Sequence, residues 1–431
     1  MTKTIIFKFG GASVKDAKSI KNLTEILRNR LRKRTVLVIS AMGKTTNALE
    51  DLIRLRMEEL NYSKEYTILK EFHVALCQEL FPTDHPVHAR IENLFTQLYH
   101  QLQYSIEPRN YDEAYDQIVS FGELISTRII AEYLCSQGLV VVWQDAREVI
   151  QTSSDFRFAQ INWEATKRKS LRILNPLLEQ YPVLTQGFIG RDRKGKTTTL
   201  GREGSDFTAA ILAACLQAGS VTIWKDVPGV LNADPKIFPL TQKFDELGYK
   251  EAAEMTYFGA SVIHPKTIRP LANHSIPLYV KSFLDPDASG TKIHQKAGHQ
   301  EVPSLILKRN QILITFKVTD FAFIGEAHIH QIYEEIKNLK LRVNMLQLSA
   351  ISVSVVIDNE LFKLEKLLSG LKKDFEIRFN QDLELLTILN HKSLDPSDYL
   401  QGYEVLLEQS TRNTFQAVRR KSSSPSKSLV T

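Results

Sequence analysis

Cysteine is scarce in this sequence. The 431 residues include three cysteines, and Cys77, Cys135 and Cys215 lie far apart along the chain. An odd number at such spacing predicts neither a disulfide framework nor a cysteine metal site, and it fits a reducing compartment. We assign no protein residue as a metal ligand.

Long apolar runs are missing as well. The run from Ala209 to Leu216 is far shorter than the roughly 20 residues that a membrane helix needs, so it predicts a buried helix. The first strand is expected from residue 4, which leaves no space for a signal peptide ahead of it. We therefore expect a cytoplasmic protein with no membrane partner.

The last 13 residues contain no acidic side chain, yet they carry Arg419, Arg420, Lys421 and Lys427. These four residues account for most of the formal net charge of +6. The serines and the proline around them predict a disordered basic tail over residues 419–431. A short solvated tail explains the charge without a nucleic-acid partner, and we expect none.

Short apolar segments that predict buried strands alternate with helical patterns over most of the chain. This alternation predicts an α/β fold, with a mostly parallel sheet sandwiched by helices. Residues 48–134 are an exception, because their pattern is helical throughout. Ligands of parallel sheets bind at the carboxyl ends of the strands, and Lys8, Ser40 and Lys225 all fall at such ends.

The first predicted strand runs into a pair of glycines, Gly10 and Gly11. Glycines let backbone N–H groups approach an anion closely, and the N-terminus of the next helix is expected to point at the same place. Lys8 adds a positive charge at the end of the strand. A double glycine also forms ordinary turns, so this segment alone leaves both interpretations open.

The segment Lys8-Phe-Gly-Gly-Ala-Ser-Val14 resembles KFGGTSV, the opening of the aspartate kinases in the amino-acid kinase family. Four later segments resemble further motifs of that branch in the same order: Ser120–Glu123 (SFGE), Thr197–Ala209 (TTLGRGGSDxTA), Trp224–Pro235 (WTDVPGIYTTDP) and Phe258–Pro265 (FGAKVLHP). The resemblance implies transfer of the ATP γ-phosphate to the β-carboxylate of L-aspartate, with Mg²⁺ bridging the phosphates. The product is 4-phospho-L-aspartate, which leads to lysine, threonine and methionine.

The resemblance also assigns roles to individual residues. A carboxylate acceptor is already ionised and needs no general base, so cations and anchors are expected to carry the catalysis. Glu123 would meet the ammonium of the substrate, and Arg202 would clamp its α-carboxylate. The assigned residues are Lys8 and Asp206 for catalysis; Ser40, Thr46, Glu123, Arg202 and Ser205 for the substrate; and Gly10, Gly11, Ser13, Lys225, Asp226, Leu231, Lys236 and Ser261 for ATP.

Five positions depart from the pattern, among them Leu231, which replaces a tyrosine, and Lys236, which replaces an arginine. Glu203 replaces a glycine, Lys225 replaces a threonine, and Ser261 replaces a lysine that binds phosphate in the family. Phosphoryl transfer needs its phosphate charge compensated, so we hypothesise that Lys225 supplies the cation missing at Ser261. The alternative is that Lys225 is a surface lysine and the enzyme is slow or inactive.

The predicted domains are a catalytic domain at 1–285, a linker at 286–304, an ACT-like module at 305–390, a partial second module at 391–418 and the tail. The third of these follows a strand–helix–strand–strand–helix–strand order, which suits an α+β ferredoxin-like fold. It resembles the ACT domains of aspartate kinases, which implies a lysine or threonine effector and a homodimer.

Two other functions stay open at this point. One is a related amino-acid kinase that acts on a different substrate, which should lack SFGE together with the Arg202 segment. The other is a non-catalytic sensor of amino acids with a decayed kinase domain, which would explain Ser261.

Overall fold

The computed structural model describes residues 3–260, 263–298, 301–319 and 323–422. Its contacts divide the chain into two compact units. The larger unit comprises Met1–Val230, Lys243–Ala253 and Ser261–His299, and the smaller one comprises Leu231–Gln242, Glu254–Ala260 and Gln300–Thr431.

The larger unit contains ten strands and the helices around them. The strands are β1 (Ile5–Phe9), β2 (Thr35–Ile39), β3 (Val142–Gln144), β4 (Val183–Gln186), β5 (Ile189–Arg191), β6 (Thr197–Thr199), β7 (Ser220–Lys225), β8 (Glu246–Gly248), β9 (Leu278–Ser282) and β10 (Thr291–His294). The helices are α1 (Ala17–Arg28), α2 (Thr45–Met57), α3 (Ser63–Leu80), α4 (Val87–Gln103), α5 (Tyr111–Ser136), α6 (Ala146–Val149), α7 (Trp163–Gln180), α8 (Gly204–Leu216), α9 (Tyr249–Phe258), which contributes residues to both units, and α10 (Pro265–Asn273).

Eight of these strands form one sheet in the order β3-β4-β2-β1-β7-β9-β10-β8. The paired strands are parallel except for β9 with β10. All five residues of β2 are buried, as expected for a parallel strand covered on both faces. Phe9 of β1 stacks on Trp224 of β7 at 5.7 Å between ring centroids, which fixes two neighbouring strands at their carboxyl ends. The predicted α/β class is confirmed.

Residues 48–134 form four helices, as predicted. Helix α5 is buried over most of its length from Tyr115 to Leu134, because it packs against α2, α4 and the sheet. In the described ranges no helix has both the length and the apolar character needed to cross a membrane.

The smaller unit is built on an antiparallel sheet of six strands in the order β12-β13-β11-β14-β16-β15. The elements are β11 (Ser304–Val318), α11 (Glu326–Asn338), β12 (Val343–Leu348), β13 (Ser352–Asp358), α12 (Leu361–Leu371), β14 (Phe375–Leu389), β15 (Tyr403–Ser410) and β16 (Thr414–Lys421). The order β12-β13-β11-β14 with two helices is that of a ferredoxin-like module. Its core includes Ile314, Phe316, Ile332, Val355 and Leu367.

Strands β11 and β14 are longer than the sequence suggested. The sequence pattern predicts β11 only from Gln311 to Val318, and it predicts the last strand at either Glu376–Phe379 or Leu383–Leu389, whereas β11 and β14 each run for 15 residues. The pairing of β11 with β14 is irregular between Lys308 and Leu313, where Asn310 has a φ of 54°. This irregularity interrupts the alternation of apolar and polar residues along the strand, so the sequence pattern does not indicate one continuous strand.

Residues 384–389 of β14 pair with β16, and β16 pairs with β15 at the edge of the sheet. Two short 3₁₀ turns, His391–Ser393 and Pro396–Tyr399, connect β14 to β15. That this group is a partial second ACT module remains a prediction.

Two predicted boundaries are wrong. The segment predicted as a linker contains β10, which pairs with β8 and β9 in the main sheet. The predicted basic tail begins inside β16, where Arg419 is only 5% exposed. Its guanidinium lies 3.2 Å from Glu384 and 3.8 Å from the centre of the Tyr403 ring. Residues 423–431 and Ser261 lie outside the described residues.

A buried histidine of α3 makes stability depend on pH. His73 is fully buried, its Nδ1 lies 2.8 Å from the carbonyl oxygen of Leu69, and burial lowers its pKa from 6.5 to about 4. The unfolded chain therefore gains a proton near pH 6.5 that the folded chain binds only near pH 4. The free energy of unfolding therefore decreases as the pH falls from about 6.5 to about 4. The loss is about 3 kcal/mol, because each pKa unit corresponds to about 1.4 kcal/mol.

We expect His73→Leu to remove this loss. Between about pH 7 and pH 4.5, the free energy of unfolding from urea titrations should fall less for the variant than for the wild type, by about 2–3 kcal/mol. His100→Leu changes an exposed histidine on α4 and should behave like the wild type. Equal losses in His73→Leu and the wild type would contradict the assignment.

Candidate active site

A cavity of about 560 Å³ lies at the carboxyl ends of β1, β2 and β7. It brings together residues that are up to 217 positions apart in the sequence, from Lys8 to Lys225. Nine predicted site residues line it: Lys8, Gly11, Ser40, Thr46, Glu123, Arg202, Ser205, Asp206 and Lys225.

The remaining predicted residues lie elsewhere. Gly10 and Ser13 form the turn after β1, where the Ser13 hydroxyl donates a hydrogen bond of 2.7 Å to the Gly10 carbonyl. Asp226 is exposed just beyond β7 and does not line the cavity. Leu231 and Lys236 belong to the smaller unit. Ser261 lies outside the described residues.

The glycine turn approaches the loop after β2 closely. A Cβ on Gly11 would lie 2.8 Å from the Ala41 carbonyl oxygen, so only glycine fits here. The N-terminus of the next α-helix, α1, is not free to bind an anion, because a side chain caps it. A 3₁₀ turn over Gly11–Val14 comes first, and the side chain of Asp16 then caps α1 by accepting a hydrogen bond from the Ser19 amide.

Helix α8 provides the uncapped N-terminus instead. Its first three residues, Gly204, Ser205 and Asp206, all line the cavity, and no side chain caps this end of the helix. The helix dipole and the N–H groups of the first turn favour an anion there.

Asp206 holds two lysines at this end of the cavity. Its Oδ1 lies 2.6 Å from Lys8 Nζ, and its Oδ2 lies 3.6 Å from Lys225 Nζ. Burial alone would raise the pKa of this carboxyl, which is only 2% exposed, but the two ammonium groups outweigh burial and hold its pKa below the usual range. Asp206 therefore stays ionised and fixes two cations side by side.

Glu123 is the opposite case. It is 3% exposed, and its Oε2 has no hydrogen-bond partner among the described residues. Burial raises its pKa to about 8, despite hydrogen bonds from backbone amides that include that of Ala41. The neighbouring Gly122 lets α5 pack closely, since a Cβ there would lie 3.0 Å from the Ala41 Cβ. Glu123 is thus a buried carboxyl suited to a cationic ligand.

One residue beside the cavity escaped the sequence analysis: Asp116 does not line the cavity but binds Thr199 and Arg157, which do. Asp116 accepts hydrogen bonds from the amide and hydroxyl of Thr199, at 2.8 and 2.6 Å, and from the amide of Arg157 at 2.9 Å. Burial raises its pKa to about 6, although these hydrogen bonds act in the other direction. Asp116 thereby anchors Thr199, the last residue of β6, which lies three residues before Arg202 in the sequence. Its position two helical turns before Glu123, on the same face of α5, was the available signal.

Glu203 lines the cavity and was noticed in the sequence only as a replaced glycine. Its φ of 53° and ψ of 29° are left-handed, which explains the glycine of the family pattern. Its Oε2 is buried and has no hydrogen-bond partner in the described ranges.

The comparisons with known proteins agree with this site. The model of the amino acid kinase family matches residues 3–282. Lysine-sensitive aspartokinase 3 of Escherichia coli (strain K12) is 33% identical over 362 residues, which cover 83% of this chain and 79% of that protein. Aspartokinase 2, chloroplastic, of Arabidopsis thaliana is 32% identical over 374 residues, which cover 82% of this chain and 66% of that protein.

Solved structures extend the similarity over the whole chain. The R-state structure of E. coli aspartokinase III in complex with aspartate and ADP has a TM-score of 0.84 at 28% identity and covers 96% of both chains. The T-state structure of that protein with lysine and aspartate has a TM-score of 0.77, and the match covers 96% of this chain and 95% of that one.

The chain therefore belongs to the amino acid kinase family. Within that family it groups with the aspartokinases, the branch that the motifs from Lys8 to Pro265 predicted.

Gly187 offers a test of the cavity geometry. It follows β4, and a Cβ at this position would lie 2.4 Å from the Ser205 Cβ and 2.7 Å from its Cα. Gly187→Ala must displace the first turn of α8, and a shift of about 1 Å in a reacting group can cost about 100-fold in rate. We expect at least about a tenfold loss of phosphoryl transfer, measured as ADP release.

Gly298→Ala is the matched control, because a Cβ at Gly298 meets nothing within 4 Å. A full rate in Gly187→Ala would show that the first turn of α8 does not position the reacting groups.

Proposed function

We propose that this chain works as an aspartate kinase, which transfers the γ-phosphate of ATP to the β-carboxylate of L-aspartate and releases ADP. One observation carries the proposal: the buried carboxyl of Glu123, whose Oε2 has no hydrogen-bond partner among the described residues, shares a cavity with the Lys8–Asp206–Lys225 group and the uncapped end of α8. One end thus suits an ammonium group, and the other suits phosphates.

The substrate contacts follow from the charges. Glu123 accepts the ammonium of aspartate and becomes ionised as it does so. Arg202 is exposed at the cavity wall, where a planar guanidinium can bind the α-carboxylate in a bidentate manner. Ser40, Thr46 and Ser205 offer hydroxyls along the same wall. These contacts would fix the β-carboxylate so that its ionised oxygen attacks the phosphoryl group without a general base.

The phosphoryl group needs positive charge while it moves. Lys8 and Lys225 present two ammonium groups held by one carboxylate, which suits charge spread over the oxygens of a loose transition state. The amides of Gly11 and of the first turn of α8 add donors. Asp206 orients both lysines. The ATP roles of Gly10, Ser13, Asp226, Leu231, Lys236 and Ser261 remain predictions from the resemblance.

Magnesium fits this site as an ion held chiefly by phosphate oxygens. Mg²⁺ usually binds through one or two carboxylates together with substrate phosphates. The described residues hold no group of three candidate ligands, and Asp206 is the carboxylate beside the phosphate-facing lysines. The ion would neutralise charge on the β- and γ-phosphates.

Lysine or threonine is the proposed effector, and the smaller unit is its proposed site. The T-state structure of E. coli aspartokinase III contains lysine. In the present chain a cavity of about 1030 Å³ beside α11 and β12, lined in part by Tyr333 and Asn344, has ample room for an amino acid. The edge strand β12 could pair with the same strand of a second copy, which supports a homodimer.

The alternative is a non-catalytic sensor. The deciding experiment measures ADP release from Mg-ATP with aspartate, glutamate, N-acetylglutamate or UMP, and repeats it with lysine and with threonine. We expect turnover with aspartate alone, lowered by one of the two effectors. Binding of lysine or threonine with no turnover would overturn the kinase proposal in favour of the sensor.

Glu123 makes aspartate binding depend on pH. With the site empty its carboxyl is protonated below about pH 8, and it must lose that proton to pair with an ammonium group. Aspartate affinity should therefore fall as the pH drops below about 8, by up to about tenfold per pH unit. Binding should release up to one proton, measured by calorimetry in two buffers of different ionisation enthalpy.

Glu123→Gln keeps the shape and removes the titration. Its binding of aspartate should be weaker and should release no proton from this site, while the affinity for ATP is retained. Proton release equal in the variant and the wild type would place the titrating group elsewhere.

A further inference from the structure

A buried carboxylate on α5 holds two segments of the cavity wall without lining the cavity itself. Asp116 is fully buried and accepts three hydrogen bonds. Its Oδ2 accepts from the backbone amides of Thr199 and Arg157, at 2.8 and 2.9 Å, and its Oδ1 accepts from the Thr199 hydroxyl at 2.6 Å. Thr199 and Arg157 both line the cavity. One side chain thus fixes the backbone of two wall segments that are distant in the sequence.

The two wall segments also contact each other. The Thr199 carbonyl oxygen accepts a hydrogen bond of 3.0 Å from the amide of Ala159. Gly201 has a φ of 77°, and a Cβ at this position would lie 3.1 Å from the Arg157 carbonyl oxygen. Only glycine suits such a conformation and so close an approach. The backbone from Thr199 to Gly201 is therefore held against residues 157–159, and Asp116 binds both of these segments.

Arg202 directly follows this braced backbone. Its side chain is exposed and lines the cavity, so the backbone that carries it largely decides where its guanidinium lies. A guanidinium that binds a carboxylate through two parallel hydrogen bonds has a strict geometric requirement. A displacement of about 1 Å at such a group can cost about 100-fold in rate. The support of this segment is therefore expected to matter for substrate binding.

We propose that Asp116 is a positioning residue for Arg202. By holding Thr199 it fixes the start of the segment that carries the guanidinium to the α-carboxylate of aspartate. Asp116 itself does not touch the substrate, because it does not line the cavity. This inference rests on the proposed function, in which Arg202 binds that carboxylate.

A buried aspartate could instead serve stability alone, or it could act on the substrate through its negative charge. Asp116→Asn separates these roles from positioning. The asparagine oxygen can accept both backbone amides, and its NH₂ group can donate to the Thr199 hydroxyl oxygen. Asparagine therefore keeps the three contacts and removes the charge, whereas Asp116→Ala removes both.

Asp192 offers a matched control on the same hairpin. It is 2% exposed and accepts the same set of hydrogen bonds. Its Oδ1 accepts from the amides of Lys194 and Lys196, both at 2.9 Å, and its Oδ2 accepts from the Ser154 hydroxyl at 2.7 Å. Asp192 lies in the turn between β5 and β6, and neither it nor these partners line the cavity. Asp192→Ala thus removes equivalent contacts at the other end of β6.

The first measurement is steady-state kinetics with aspartate and Mg-ATP. We expect Asp116→Ala to lower kcat/KM for aspartate at least about tenfold and to leave KM for ATP within about twofold. Asp116→Asn and Asp192→Ala should stay within about twofold for both substrates. In the Arg202→Ala background, Asp116→Ala should have less than about a twofold effect, because no guanidinium is left to position.

Two further measurements do not depend on turnover. Hydrogen exchange of the free protein should be at least about tenfold faster over residues 199–202 in Asp116→Ala, but over residues 193–196 in Asp192→Ala. Calorimetry should show a dissociation constant for aspartate raised at least about tenfold in Asp116→Ala. If the wild type binds aspartate but does not phosphorylate it, the proposed function fails and calorimetry still decides the role of Asp116.

Three results would overturn the inference. An aspartate affinity in Asp116→Ala equal to that in Asp192→Ala would leave Asp116 with a role in stability alone. A loss in Asp116→Asn as large as that in Asp116→Ala would assign the effect to charge. An equal loss with and without the Arg202 side chain would show that Asp116 does not act through Arg202.

Discussion

The site depends on one buried carboxylate. Asp206 is almost fully buried at the start of α8, and an ionised group in such a place must be paired. Its partners are Lys8 at the end of β1 and Lys225 at the end of β7. The pairing therefore ties a helix to two neighbouring strands of the sheet. Both ammonium groups line the cavity beside this carboxylate.

The other end of the cavity has the reverse arrangement. Glu123 is as deeply buried as Asp206 but meets backbone amides in place of a cation, so its carboxyl favours the protonated form. The cavity thus contains one carboxylate whose charge is satisfied by the protein and one whose charge awaits a ligand. This difference in pairing gives the cavity two chemically distinct carboxyl groups. In the proposed function, Glu123 is the group that selects an ammonium-bearing substrate.

The smaller unit is built around two long neighbouring strands, β11 and β14. Strands β11 and β14 each run for 15 residues. Strand β11 pairs with β13 and β14, and β14 pairs with β11 and β16.

Arg419 shows that a run of basic residues in the sequence need not be a solvated tail. Its run of basic neighbours predicted a solvated tail, but Glu384 and Tyr403 lie across the sheet and bury it. The partners are far away in sequence, so no local pattern could reveal them.

The sequence by itself determined the α/β class and the strands at the site, because apolar runs and glycines follow local rules of turn, strand and helix. Its resemblance to family motifs picked out nine residues of the cavity. It also identified the aspartokinase branch from five motifs in order. Only the tertiary structure decided that Asp206 binds both lysines and that α8 rather than α1 offers the open helix end. It also decided that Glu203 lines the cavity and that Asp116 binds the lining residue Thr199. Pairing, burial and pKa depend on which distant segments meet, and a linear sequence does not contain those distances.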